Sequence, residues 1–133
     1  MILLLDTSAY SQLGRGHPGV AALVKNSGML VFSTIVAGEL LAGFRRGTRL
    51  GQNLAALQRF LREPRVNLTP VTWTTADRFG RIAAALRSKG TPIPSNDIWI
   101  AAHAMETGAD LVSFDSYFRH VDGLAWLNPD EGV

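Results

Sequence analysis

The sequence of 133 residues contains no cysteine, which excludes a disulfide scaffold, a thiolate zinc site and a cysteine nucleophile. It also lacks a long apolar run. Residues 1–5 are apolar, but Asp6 follows at once and no basic residue precedes them. A membrane span needs about 20 apolar residues and a signal peptide needs a basic flank, so this run predicts a buried strand. Together these absences favour a cytoplasmic protein.

Charged residues are scarce as well, at 18% of the chain, whereas hydrophobic residues reach 47%. This balance excludes a chain that is disordered along its length, and the length suits one domain spanning residues 1–133. The formal net charge is only +2, yet 11 of the 13 basic residues are arginine. Because arginine binds phosphate oxygens in bidentate fashion, this composition is consistent with a nucleic-acid partner and equally with an ordinary solvated surface.

Short apolar runs alternate with longer stretches of helical spacing. The runs predict strands at residues 2–5, 29–32, 66–68, 111–114 and 124–127. The helical spacing predicts helices at residues 18–25, 34–45, 50–61, 75–87 and 95–107. Runs as apolar as these indicate strands that are covered on both faces. We therefore predict an α/β fold, a three-layer α/β/α sandwich with a mainly parallel central sheet.

Four carboxylates occur in apolar surroundings. Asp6 and Asp115 directly follow predicted buried strands, the position at which ligand crevices form in open α/β sheets. Glu39 lies in an apolar stretch of predicted helix, and Asp97 lies in the first turn of another. Taken singly, each acid has a structural explanation as a turn residue, a helix N-terminal residue or a residue on the exposed strip of a helix.

Taken together, the four acids are expected to gather in one cleft of such a sheet. They repel one another there unless a cation lies among them. Ligation by oxygen alone suits Mg²⁺ or Mn²⁺ better than Zn²⁺. The sequence therefore predicts a magnesium or manganese site.

The four acids also lie within motifs whose order resembles a known family. Residues 5–8, 33–40, 96–102 and 113–115 are together similar to the successive acidic motifs of PIN domains. Within that family, the length and spacing most resemble the VapC-type toxins of bacterial and archaeal toxin–antitoxin pairs. The resemblance spans essentially the whole chain and implies a PIN-like fold and a metal-dependent endoribonuclease. Such an enzyme hydrolyses RNA phosphodiester bonds at cations that activate water and stabilise developing charge.

The resemblance further implies roles for particular residues. The residues matched to the acidic metal and catalytic site are Asp6, Glu39, Asp97 and Asp115. The hydroxyls of Ser8 and Ser113 are matched to positions near the metal or the substrate. Some relatives carry a further acid just after the fourth position, whereas residues 116–118 contain none.

Basic residues follow the predicted helix that carries Glu39. An RNA backbone can pass over Arg45, Arg46 and Arg49 on its way to the acids, although cations at a helix end also complement the helix dipole. Without the four site acids, 13 basic residues face seven acidic ones, which makes a basic rim that attracts RNA. The resemblance implies a homodimer and a cognate antitoxin whose C-terminal segment lies near Arg45 and Glu39.

Two alternative functions remain beside the ribonuclease: an inactive PIN-like module and a receiver-like Mg²⁺-binding module. A receiver needs a clustered acid pair early in the chain, and Asp6 has no adjacent acid. Residues 14–19 spell G-x-G-x-x-G, but they begin well after the first strand and include Pro18, so we predict a loop between two short helices. His103 and Glu106 lack a second histidine for a zinc site, which predicts a packed helix face with a satisfied histidine.

Overall fold

A five-stranded sheet forms the centre of the fold in residues 1–131, the part of the chain that the computed structural model describes. Residues 132 and 133 of the predicted domain lie outside this range. The strands are β1 (Ile2–Leu5), β2 (Met29–Ser33), β3 (Val66–Thr69), β4 (Asp110–Val112) and β5 (Trp126–Leu127). Their order is β3-β2-β1-β4-β5, and every neighbouring pair is parallel. The predicted parallel sheet is confirmed.

Six α-helices connect the strands of the described chain. They are α1 (Thr7–Gly14), α2 (Pro18–Lys25), α3 (Thr34–Arg46), α4 (Leu50–Leu61), α5 (Trp73–Lys89) and α6 (Ser95–Thr107). A short 3₁₀ helix, Ser116–His120, lies between β4 and β5. Within residues 1–131, every helix is too short or too polar to cross a lipid bilayer.

Both faces of the sheet are covered by helices, as β2 illustrates. Successive residues of a strand point to opposite faces. Phe32 packs edge-on against Tyr10 of α1 and Phe60 of α4, whereas the next residue, Ser33, contacts His103 of α6. The central strands are accordingly buried on both sides, with Leu3 and Leu4 of β1 completely inaccessible to solvent. This arrangement confirms the predicted three-layer α/β/α sandwich.

Three predicted elements differ from the structure by two residues at an end, and side-chain hydrogen bonds explain two of these differences. The strand predicted at 111–114 ends at Val112, because the Ser113 hydroxyl accepts the backbone N–H of Asp115 (3.0 Å) and turns the chain. The helix predicted from residue 75 begins at Trp73, since the Thr72 N–H donates to the Thr75 hydroxyl (3.0 Å) and starts the helix earlier. The strand predicted from residue 124 begins only at Trp126.

The G-x-G-x-x-G segment joins α1 to α2, as predicted. Gly16 has a positive φ of 80°, which favours glycine. His17 caps α2 through Nδ1, which accepts the N–H groups of Gly19 (3.1 Å) and Val20 (3.2 Å). A Cβ on Gly19 would lie only 2.6 Å from the carbonyl oxygen of Pro129. These glycines therefore serve a turn and a close chain contact.

Candidate active site

Asp6 lies at the point where the strand order reverses. The chain leaves β1 for β2 and β3 on one side, while β4 and β5 lie on the other, so the helices diverge and leave a crevice at the C-terminal end of β1. The Asp6 N–H donates to the Val112 carbonyl (3.2 Å), and its carboxylate caps α1 by accepting the N–H of Ala9 (2.9 Å). The side chain is thus held by both a strand and a helix.

Glu39 is held in place by two side-chain donors from other elements. The Thr7 hydroxyl donates to Oε1 (2.5 Å), and the Asn96 amide donates to Oε2 (3.2 Å). Thr7 directly follows Asp6, and Asn96 directly precedes Asp97. These two contacts therefore connect α3 to the segments that carry two of the other acids.

Asp97 and Asp115 complete the acidic group. Asp97 lies in the first turn of α6, and its Oδ2 accepts a hydrogen bond from the hydroxyl of Tyr117. Asp115 follows β4 and begins the 3₁₀ helix that contains Tyr117. The same short segment thus delivers one carboxylate and a phenol to the cleft.

One open cleft brings together five of the predicted site residues. Its lining includes Asp6, Ser8, Glu39, Asp97 and Asp115, and also Thr7, Ser11, Gln12 and Arg15. The acids approach from two helices, α3 and α6, and from the ends of two strands, β1 and β4. Within residues 1–131, however, no three acidic or histidine side chains lie close enough together to share one ion in this conformation. The carboxylates converge on a common space without yet forming a tight ligand cage.

The acids of the cleft are not neutralised by protein cations. None of the four forms an ion pair with lysine, arginine or histidine within the described chain. Burial is the main cause that raises the pKa of Asp6 from 3.8 to about 6, and the charges of Asp115 and Asp97 raise it further. Burial likewise raises the pKa of Asp97, with Glu39 and Asp115 adding to the shift. The cleft therefore concentrates uncompensated negative charge.

Ser113 lies beneath the cleft and does not line it. The side chain is completely buried, and its hydroxyl contacts Asp6 as well as the backbone N–H of Asp115. Its carbonyl oxygen accepts the indole N–H of Trp126 (3.0 Å). Of the two predicted serines, Ser8 is exposed in the cleft, whereas Ser113 supports two acids from below.

The two predicted arginines differ in position. Arg46 follows Glu39 by two turns of α3, so both lie on one face of the helix and line the same groove between α1, α3 and α4. Arg45 lies about 100° round the helix from Arg46 and outside this groove, with its guanidinium directed at the Leu41 carbonyl of its own helix. Arg15 and Arg49 line the groove together with Arg46.

A second polar cluster lies behind the cleft, around His103. Its Nε2 contacts the Pro70 carbonyl (3.1 Å), which can only accept, so Nε2 carries the proton and Nδ1 accepts from the Ser33 hydroxyl (2.8 Å). Ser33 in turn accepts the N–H of Ile35 (3.1 Å) and caps α3. Burial lowers the pKa of His103, which agrees with a neutral ring. This is the satisfied histidine on a packed helix face that the sequence predicts.

The sequence did not indicate four further residues of the cleft lining, Thr7, Ser11, Gln12 and Arg15, nor Asn96 and Tyr117, which donate hydrogen bonds to two of the acids. Arg15 lies one helical turn after Ser11 and two turns after Ser8. This spacing would have indicated that the three side chains share one face of α1. Asn96 and Thr7 are neighbours of the predicted acids, which is a weaker signal. For Tyr117 the sequence carries no signal, because residues 116–118 stand out only by their lack of an acid.

Comparisons with known proteins agree with this geometry. A family model described as PIN domain matches residues 3–124. Ribonuclease VapC1 of Haemophilus influenzae is 31% identical over 132 residues, which cover 95% of this chain and 96% of the relative. Ribonuclease VapC19 of Mycobacterium tuberculosis is 36% identical over 130 residues, with coverage of 95% and 97%.

Two solved structures share the fold over nearly the full length. VapBC-1 from nontypeable Haemophilus influenzae matches with a TM-score of 0.85 at 29% identity and covers 97% of this chain and 98% of that one. VapBC2 from Rickettsia felis, bound to a DNA fragment from its promoter, matches with a TM-score of 0.82 at 28% identity and covers 96% and 98%. With the family model and the relatives, these matches show that the chain belongs to the PIN domain family and, within it, to the VapC ribonucleases.

Proposed function

We propose that this protein is a metal-dependent endoribonuclease that hydrolyses RNA phosphodiester bonds and acts as the toxin of a toxin–antitoxin pair. The observation that carries the proposal is the cleft itself, in which Asp6, Glu39, Asp97 and Asp115 converge and none forms an ion pair with a cation of the described chain. Its place at the reversal point of the strand order is where α/β sheets bind ligands. Membership among the VapC ribonucleases favours this function over the inactive and receiver-like alternatives.

The donor set fits a hard divalent cation, and we assign Mg²⁺ or Mn²⁺ to it. The four acids and the neighbouring hydroxyls offer oxygen donors to an ion, and the chain contains no cysteine. Asp6, Asp97, Asp115 and Glu39 would hold the ion, and the raised pKa values of Asp6 and Asp97 reflect repulsion and burial that a cation would relieve. When bound, such an ion supplies Lewis-acid stabilisation of the phosphoryl oxygens and an activated water.

The remaining residues bind and orient the RNA. Ser8 presents an exposed hydroxyl to the substrate at the start of α1, while Ser113 keeps Asp6 and Asp115 in position from below. Arg46 lies beside Glu39 and binds backbone phosphates on the approach to the acids. Arg45, directed along its own helix, makes a smaller contribution through long-range charge.

The partners follow from the same assignment. Solved relatives are complexes of VapB with VapC, which supports a cognate antitoxin for this chain. The groove lined by Arg15, Arg46 and Arg49 leads to the acids, and we propose that the antitoxin's C-terminal segment occupies it.

We further propose that the protein is a homodimer and that it is located in the cytoplasm, where cellular RNA is present. Light scattering of the purified chain tests the dimer, and a monomer at high concentration would contradict it.

The function is tested by incubating the purified protein with total cellular RNA and mapping new termini. We expect cleavage with Mg²⁺ or Mn²⁺, none with a chelator and none with the Asp97→Asn variant. The matched control is Asp77→Asn, which makes the same charge change at an exposed carboxylate paired with Arg81, far from the cleft. Cleavage that persists in Asp97→Asn at the rate of the control would reject the assignment.

A further inference from the structure

Beside the cleft lies a polar side chain to which the proposed hydrolysis gives no role, the phenol of Tyr117. Its hydroxyl donates to Oδ2 of Asp97. Within residues 1–131 this is the only hydrogen bond that the Asp97 carboxylate receives from a side chain or backbone group, so Oδ1 has no protein donor. One oxygen of the carboxylate is therefore fixed and the other is free.

The hydroxyl is held where it is by the packing of its own segment. Tyr117 lies in the 3₁₀ helix Ser116–His120, and its ring contacts that of Phe118 with centroids 5.2 Å apart. Phe118 is almost completely buried and anchors the segment in the core. Since Asp115 begins the same 3₁₀ helix, the contact between Tyr117 and Asp97 ties the first turn of α6 to the segment that carries Asp115.

We propose that Tyr117 is a positioning residue that sets the orientation of Asp97 for cation binding and fixes its distance from Asp115. This inference rests on the proposed metal site. A carboxylate in the first turn of a helix can rotate about two side-chain bonds, and a donor on one oxygen restricts this rotation. Partners of this kind orient metal ligands, and their removal typically weakens metal affinity about 10- to 100-fold. Phenylalanine keeps the ring of Tyr117 but cannot donate.

The chain provides a matched control because it contains only two tyrosines. The other, Tyr10, is also partly buried and packs edge-on against Phe32 and Phe60, but its hydroxyl has no hydrogen-bond partner among the described residues. Tyr10→Phe therefore removes the same atom without removing a contact to a carboxylate. It serves as the control for stability and for Mn²⁺ binding.

The first measurement is Mn²⁺ affinity by calorimetric titration of the full chain at pH 7.5. We expect Tyr117→Phe to weaken Mn²⁺ binding about tenfold or more, and Tyr10→Phe to leave it unchanged. Equal affinity in Tyr117→Phe and the unaltered protein would overturn the proposal. Tighter binding in Tyr117→Phe would also overturn it, since the hydroxyl would then be competing with the ion for Asp97. Absence of Mn²⁺ binding by the unaltered protein would instead reject the proposed metal site.

The second measurement separates positioning from packing by a double-mutant cycle in urea without metal. Tyr117→Phe is expected to lower the unfolding midpoint when Asp97 is present, and to lower it less in the Asp97→Ala background, where the hydroxyl can still contact the Asp115 carboxylate. An equal loss in both backgrounds would show that the hydroxyl does not act through Asp97. Failure of Tyr117→Phe to fold in either background would identify Tyr117 as a core residue and overturn the proposal.

Discussion

The acidic cleft and the cluster around His103 are two polar regions of the fold, and they differ in how their charges are compensated. In the His103 cluster each ring nitrogen has a partner, and Thr75 donates to Glu106 (2.5 Å), so burial leaves little unpaired. In the cleft, four carboxylates converge and none of them forms an ion pair with a cation of the described chain, although Arg15 lies in the lining. The polar groups around His103 are paired without a ligand, whereas the carboxylates of the cleft need a bound cation to compensate their charge.

Substitution of Asp6 should have the largest effect, and it should change activity and stability in opposite directions. Asp6→Asn is expected to reduce RNA cleavage more than about 100-fold, beyond what the loss of an outer-shell contact costs. The same change removes a buried, repelled charge while asparagine still caps α1, so metal-free stability at pH 7.5 should rise by about 1–3 kcal/mol. Cleavage assays and urea unfolding measure the two effects. A variant that loses activity and stability together would show that Asp6 is structural.

His103 provides the opposite test. His103→Ala leaves the Ser33 hydroxyl and the Pro70 carbonyl without their partners in a fully buried site, and we expect a loss of about 2–4 kcal/mol of stability. At temperatures where the variant is folded, Mn²⁺ affinity should change much less than in Asp6→Asn. If instead Mn²⁺ affinity collapsed while stability was retained, the two regions would not be functionally distinct.

The stability of the two regions should also depend on pH in opposite directions. The pKa of Asp6 is about 6 in the fold against 3.8 in the unfolded chain, so the folded protein retains a proton that the unfolded chain has released. The stability from this group is full at low pH and is lost as the pH rises through about 6. His103, whose pKa is lowered, has the opposite effect, since its stabilising neutral form is lost as the pH falls below its ordinary value.

Comparing Asp6→Asn with the unaltered protein isolates the contribution of Asp6, because His103 is present in both. The metal-free stability advantage of Asp6→Asn over the unaltered protein should grow by about 1 kcal/mol between pH 5 and pH 7.5. Stabilisation by Mn²⁺ should likewise be larger at pH 7.5, because protons compete for the same oxygens. Urea and thermal melts at both pH values test this. An advantage that is the same at both would place the pKa of Asp6 near its ordinary value.

The smallest predicted effect concerns the two neighbouring arginines. Arg46→Ala should weaken RNA binding several-fold at low salt and reduce the salt dependence by about one phosphate contact, while Arg45→Ala should have less effect. Asp97→Asn protein, which cannot cleave in our account, allows binding to be measured at several salt concentrations. Equal losses of RNA affinity in both variants would indicate that the affinity depends on net charge and not on the position of the arginine.

The sequence was sufficient for the fold and for the four acids of the cleft because both depend on regular patterns. Apolar runs locate the strands, and an acid that follows a run is carried to the same edge of a parallel sheet. The orientation of the side chains was not predictable. The contacts of Thr7 with Glu39 and of Tyr117 with Asp97 join residues 32 and 20 positions apart, and only packing decides that they meet. The burial of Ser113 likewise depends on where β4 ends, which the apolar run overestimated.

The most direct test of the central claim is a calorimetric titration of Mn²⁺ at pH 7.5 into the unaltered protein, the Asp6→Asn, Asp97→Asn double variant and the Asp77→Asn control. We expect saturable Mn²⁺ binding to the unaltered protein and to the control, and its loss in the double variant. The double variant should remain folded, because it has lost two repelled charges. Binding of equal affinity to all three proteins would contradict the account, since the cation would then lie outside the acidic cleft.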